Sequence, residues 1–147
     1  MKVFISAPFF NYAERELNKK IAEFLRKLEF VKNVFLPQEY GLLETSDDDA
    51  KRKIFDLDLN ALKDSDVIVA ILDGECLDSG MCFELGYAYA LGKPIIGIKT
   101  DYRVFSRIEE LNLMIEKSLY KLIVSQNLED IKAELVKTLE ELKGKIS

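Results

Sequence analysis

Val67-Ile-Val-Ala-Ile-Leu72, then Asp73-Gly74, then Ser79-Gly-Met-Cys-Phe-Glu-Leu-Gly-Tyr-Ala-Tyr-Ala-Leu91 is the stretch that decides the fold. Six apolar, mostly β-branched residues closed by Asp-Gly read as a strand covered on both faces. The segment from Ser79 to Leu91 reads as a helix. Gly92 stands at its C-cap position, and Pro94 opens a further apolar run, Ile95 to Lys99. Working outward, Lys2 to Ala7 is a strand ended by Pro8. Asn11 caps a helix to about Leu28, with Leu17, Ile21, Phe24, Leu25 and Leu28 on one face. Val34 to Leu36 is a short strand, Gln38 to Ser46 a loop and Asp47 to Lys63 a helix. Thr100 to about Lys117 holds a loop and a short helix, Leu122 to Val124 a last strand, and Leu128 to about Lys143 a last helix. Strands alternate with helices and no linker interrupts them. The chain therefore reads as one doubly wound, flavodoxin-like α/β domain over residues 1–147, with about five parallel strands in the order 2-1-3-4-5. Ligands of such sheets sit beyond the carboxyl ends of the strands, here Ser6-Ala7-Pro8, Asp73-Gly74 and Thr100-Asp101.

Composition narrows the chemistry. With 48% hydrophobic residues the chain builds a core, and a net charge of −5 argues against a phosphate-backbone partner such as nucleic acid. No apolar run reaches membrane-spanning length and no cleavable signal pattern is present, so a cytoplasmic address without a membrane partner is expected. The chain has no histidine, which excludes Ser-His-Asp and Cys-His catalysis and every His-ligated metal. Cys76 and Cys82 do not complete a zinc site or a C-x-x-C redox pair. They are expected to be buried or half-buried thiols. No metal and no cofactor is implied.

Three carboxylates break the hydrophobic pattern. Glu84 is the only charge on the 79–91 helix, which is apolar almost all round and so expected to be largely buried. Its place in the first two turns favours an anion, and Gly80, one turn earlier, leaves space for a ligand beside it. Asp58 falls within the inward stripe Ile54, Phe55, Ala61 and Leu62. Asp78 directly precedes the Glu84 helix. Each also has a purely structural reading: a Glu paired to a cation, an Asp bonded to a nearby loop, and an N-cap. Taken together, carboxylates at the mouth of an α/β sheet without histidine or metal ligands point to glycosyl transfer. One acts as nucleophile (Glu84) and another as proton donor (Asp78 or Asp58).

Asp78-Ser-Gly-Met-Cys-Phe-Glu84-Leu-Gly-Tyr-Ala-Tyr-Ala-Leu-Gly-Lys-Pro94 resembles the motif of nucleoside 2-deoxyribosyltransferases. Asp58-Leu-Asn-Ala-Leu-Lys-Asp-Ser-Asp-Val-Ile-Val-Ala, Phe4-Ile-Ser-Ala-Pro-Phe-Phe10 and Asn112-Leu113-Met114 are similar to that family too, so the resemblance runs from about Met1 to Met114. It implies a double displacement in which Glu84 attacks C1′ of a 2′-deoxynucleoside and a second nucleobase collects the sugar. It also implies that Asp78 and Asp58 bind the base and handle its proton. Asn112 and Met114 would reach the pocket of a neighbouring subunit, which makes a homo-oligomer with shared sites part of the expectation. The residues expected to contact substrate are Phe4, Ser6, Pro8, Phe9, Phe10 and Asp73 around the strand ends, Gly80 beside Glu84, and Asn112 and Met114. For Phe9 and Phe10, ordinary packing stands as the alternative.

Phe4 departs from the family, which commonly has a tyrosine there to hold the glutamate. The departure leaves Glu84 to another group, Tyr87 or backbone N–H groups, and predicts room near C2′ that would admit ribose or water. Three readings follow: a nucleoside deoxyribosyltransferase of salvage, a nucleoside or nucleoside 5′-monophosphate N-glycosidase, and a non-catalytic nucleoside-binding module. The phosphate version is poorly supplied, because no Arg precedes Arg15 in the first loop and Arg103 reads as a surface residue.

Overall fold

Side chains of the strand β1 (Lys2–Ser6) alternate between two cores. Val3 and Ile5 join a cluster with Val67, Val69, Ile71, Ile96, Ile98 and Ile123 of the other strands, and with Ile21, Leu25, Ile131, Leu135 and Leu139 of two helices. Phe4 joins Phe35, Ile68, Ala70, Leu72 and Ile95 on the opposite face, against Leu62, Met81, Leu85 and Ala88. These coordinates are a computed structural model that describes residues 1–40, 47–103 and 110–146.

After β1 come α1 (Tyr12–Leu25), β2 (Asn33–Phe35), a 3₁₀ turn (Pro37–Tyr40) and α2 (Asp48–Asp64). Then follow β3 (Val67–Ile71), α3 (Ser79–Ala90), β4 (Ile95–Lys99), α4 (Leu113–Ser118), β5 (Lys121–Val124) and α5 (Leu128–Ile146). The sheet order is β2-β1-β3-β4-β5 and every pairing is parallel, as the sequence predicts. The helices α1 and α5 cover one face, and α2, α3 and α4 the other. The chain reverses its winding between β1 and β3, which pair from Val3 with Val67 to Ser6 with Ala70. The crevice at that reversal is where this architecture binds ligands.

Local chemistry explains the boundaries. Asn11 caps α1 with a capping box, its side chain accepting from Glu14 N while Glu14 reaches back. The helix stops at Leu25, short of the expected Leu28, because tight turns from Lys27 N to Phe24 O and from Leu28 N to Leu25 O replace its ladder. There Arg26 leaves the helix axis to bind Glu39 and the Val34 carbonyl. Gln38 to Tyr40, expected as loop, lie in the 3₁₀ turn, and the rest of that predicted loop, 41–46, lies outside the described residues, as do 104–109. Asp47 is the N-cap of α2 rather than its first residue. Gly92 follows α3 at φ +69°, the left-handed conformation that ends a helix.

Three burial expectations fail. The outer side of α3 is open: Phe83 is 53% and Tyr89 62% exposed, and both cysteines are exposed. Phe55 of α2, expected inward, is also exposed and meets the Phe83 ring at 6.1 Å. The sequence showed apolar residues all round, but a helix lying on a sheet buries one side only. Among the described residues no helix is long and apolar enough to cross a membrane.

Gly97 in β4 is closely packed by leucine side chains. A Cβ there would stand 2.7 Å from Leu72 Cδ1 and 2.9 Å from Leu119 Cδ1. Gly97→Ala is expected to destabilise the fold by about 1–3 kcal/mol through overpacking, read by urea denaturation.

Candidate active site

Phe4 and Ser6 lie on the same face of β1, and Ser6 ends that row beneath α3. Ser6 is fully buried, and its hydroxyl donates to Glu84 Oε2 at 2.5 Å. Among the described residues this is the hydrogen bond the Glu84 carboxylate receives. Asp78 is the N-cap of α3 and accepts from Met81 N at 3.1 Å, which fixes the first turn and the angle at which Glu84 projects. Asp58 projects from α2 and is half-buried.

The electrostatics follow from burial. Desolvation pushes the Glu84 carboxyl up to about 7; the hydrogen bond from Ser6 opposes the rise, and the negative charges of Asp58 and Asp78 add to it. Desolvation alone pushes Asp58 up to about 6. The expectation that the helix terminus would favour Glu84 as an ordinary anion is thus corrected: burial among carboxylates outweighs it. Two carboxyls whose protons leave near neutrality stand together, and the cation-paired reading of Glu84 does not apply among the described residues. The structure therefore brings Glu84, Asp58, Asp78 and Ser6 to one place.

The other expected residues are placed differently. Phe4 is fully buried, with its ring stacked on Phe35 at 5.5 Å and Phe35 in turn on Tyr40 at 4.5 Å. The room predicted near C2′ is therefore not open at Phe4. Tyr87 does not hold Glu84; its ring faces Phe83 and Lys63. A Cβ on Gly80 would approach Asp78 Oδ2 at 3.0 Å, so the missing side chain leaves room for that carboxylate, with open space beside it. Pro8 is buried and its carbonyl accepts from Asn18 Nδ2. Phe9 is half-buried and Phe10 is 72% exposed, with their rings stacked at 6.1 Å at the rim of the β1 loop.

Asp73 closes the sheet mouth. It accepts from Thr100 N at 2.6 Å, Thr100 Oγ1 at 2.5 Å and Asp101 N at 3.3 Å. Asp101 completes this clamp by accepting from Gly74 N and by pairing with the buried Lys99 and with Arg103. Asp73 thereby ties the β3 end to the β4 end. Sequence reasoning missed this clamp because its signal, polar residues after two apolar strands, is shared by any sheet mouth.

Asn112 caps α4 by accepting from Met114 N, and Met114 is 77% exposed. Both line a groove of about 700 Å³ between α3 and α4, together with Cys82, Gly86 and Tyr89. Glu84 lies about 200° around the helix from Cys82, so the groove and the carboxylates occupy opposite sides of α3. Within one chain, Asn112 and Met114 are not brought to Glu84.

Residues 3–136 match the family model of nucleoside 2-deoxyribosyltransferases. A nucleoside deoxyribosyltransferase of Limosilactobacillus fermentum is 30% identical over 134 residues, which is 80% of this chain and 76% of the relative. The solved 2-deoxyribosyltransferase of Bacillus psychrosaccharolyticus superposes with a TM-score of 0.74 at 29% identity, covering 90% of each chain. A CMP N-glycosidase of Clostridium botulinum shares the fold, with a TM-score of 0.63 at 18% identity and coverage of 92% of this chain and 98% of that one.

A raised carboxyl pKa weakens the fold wherever the group ionises. The folded state holds the Glu84 proton up to about 7, whereas the ordinary value is 4.5, so stability falls as pH rises through that window. Glu84→Gln removes this cost. It is expected to stabilise the protein at pH 8 by on the order of 3 kcal/mol, a gain that fades toward pH 4.5, read by thermal melts across pH.

Proposed function

The chain belongs to the nucleoside 2-deoxyribosyltransferase family, and from that membership we propose that it moves a 2-deoxyribosyl group between nucleobases through a covalent ester on Glu84. One observation carries the assignment of roles: Glu84, held by Ser6, stands with Asp58 in an environment that brings both carboxyls close to neutrality. An ordinary surface carboxylate is almost fully ionised at about pH 7 and has no proton to give, whereas Asp58, raised to about 6, keeps one in part.

In the first step the ionised Glu84 oxygen not bonded to Ser6 attacks C1′. The N-glycosidic bond breaks, its electron pair leaves on the base, and Asp58 supplies the proton. In the second step a free base attacks C1′ from the vacated side, the Glu84 ester bond breaks, and Asp58 takes a proton back. Asp78 has one oxygen committed to Met81 N–H and the other available to a base edge. Asp58 is accordingly the better proton donor of the two expected from the sequence. The stacked Phe9 and Phe10 rings at the loop rim suit the flat face of a base.

Substrates are nucleosides and free bases rather than 5′-monophosphates. Among the described residues the cations near the sheet mouth are engaged: Arg15 donates to the Phe9 carbonyl, and Lys99 and Arg103 both bind Asp101. A homo-oligomer completes the site. Phe55, Phe83, Tyr89, Leu113 and Met114 are all exposed apolar side chains on the α2–α3–α4 face, and a second copy covering that face would carry Asn112 and Met114 across to the partner's pocket.

Incubation of the protein with deoxyinosine, with and without adenine, tests the reaction. Deoxyadenosine formed when adenine is added is expected, and Glu84→Ala should lose more than about a thousandfold in rate. Hypoxanthine released equally without adenine would mean that water is the acceptor and the protein is an N-glycosidase. Full activity in Glu84→Ala would end the covalent reading.

Glu84 must be ionised and Asp58 protonated. Because Glu84 holds its proton to about 7 and Asp58 only to about 6, that combination is the less populated singly protonated form, and kcat/KM against pH should be a narrow bell with its acid limb near 6 and its alkaline limb near 7. A profile flat from about pH 4 to 8 would contradict these roles.

A further inference from the structure

Resting on the reading of Glu84 as nucleophile, we infer that Ser6 is its positioning residue: a hydroxyl fixed in the sheet that holds one carboxylate oxygen and leaves the other to face the sugar. The sequence reading placed Ser6 among residues touching substrate, and its complete burial argues otherwise. A Glu side chain on a helix has three rotatable bonds, whereas Ser6 is set in β1 between β2 and β3, paired in register with Ala70. The 2.5 Å bond from Ser6 Oγ to Glu84 Oε2 couples the mobile group to the rigid one.

The chemistry of the neighbouring positions supports this. Phe4, two residues back on the same face of β1, has no hydroxyl and is locked in the stack with Phe35 and Tyr40. The hydroxyl that a carboxylate on α3 needs is supplied from Ser6 instead. A serine has one proton to donate, and here it goes to Glu84. One oxygen is thus tied back and electronically quietened, and its twin, Oε1, keeps its lone pairs for C1′. The groups acting on Glu84 come from each neighbouring element: Ser6 from β1, Asp58 from α2, and Asp78 at the start of α3. Both aspartates disfavour the anion, and Ser6 alone of the three favours it.

Ser6→Ala tests the assignment, with Ser6→Thr restoring a hydroxyl. In Ser6→Ala the alkaline limb of kcat/KM is expected to move up by about one pH unit, with a roughly tenfold loss at pH 6 that narrows as pH rises toward 8. KM should change little. Ser6→Thr is expected to return the limb toward the parent position. A folded Ser6→Ala enzyme with an unmoved limb would overturn the inference, and so would a loss equal at every pH. A direct readout needs no turnover. The Glu84 carboxyl, followed by carbon-13 NMR in Glu-labelled protein with Glu84→Gln as the assignment control, should titrate higher in Ser6→Ala than in the parent. Coincident titrations would refute the coupling. If Glu84→Gln were fully active while the NMR displacement was present, the nucleophile reading would fail and the Ser6–Glu84 coupling would stand.

Discussion

Taking a carboxyl out of water is the constraint around which this molecule is arranged. Glu84 sits on the inner side of α3, where ionisation is costly, and three other groups determine how costly. Asp58 and Asp78 make the anion less welcome, and Ser6 makes it tolerable. The result is a proton balance near neutrality in a chain with no histidine, the residue that ordinarily works in that range. Two carboxyls with unequal burial hold protons in the range that an imidazole would otherwise cover.

Precision at that site comes from the frame. The parallel register of β1 and β3 fixes Ser6 opposite Ala70, and the capping bond from Met81 N to Asp78 fixes where α3 begins. Asp73 and Asp101 pin the ends of β3 and β4 together, so the segment leading to Asp78 departs from a fixed edge. Each of these groups contributes to the geometry around Glu84 from several residues away.

Much of this was legible in the sequence because periodicity and punctuation are local properties. The all-apolar 67–72 run, Pro8, Pro37, Pro94 and Gly92 mark the strands and their ends, and the order of elements leaves few sheet topologies to choose from. Glu84 was legible for a related reason: a lone charge in an apolar helix demands an explanation. What depended on orientation across the fold was not legible. Nothing local distinguishes the outer face of α3, with Phe83 and Tyr89, from its inner face, because both are apolar. Nor does Ser6 declare its partner, which lies 78 residues away in the chain. Phe4 was read through a missing hydroxyl, whereas the structure shows what its ring does instead, which is to anchor an aromatic stack.

The two cysteines give the α3–α4 groove a chemical address. Cys76 and Cys82 are the only thiols in the chain, both are exposed, and both line that groove on the side of α3 turned away from Glu84. A bulky thiol reagent attached there would obstruct the groove while leaving the carboxylate cluster physically untouched. The chain thus carries, without any engineering, a means of interfering with whatever packs against α3 and α4 that does not touch the carboxylates of its own subunit.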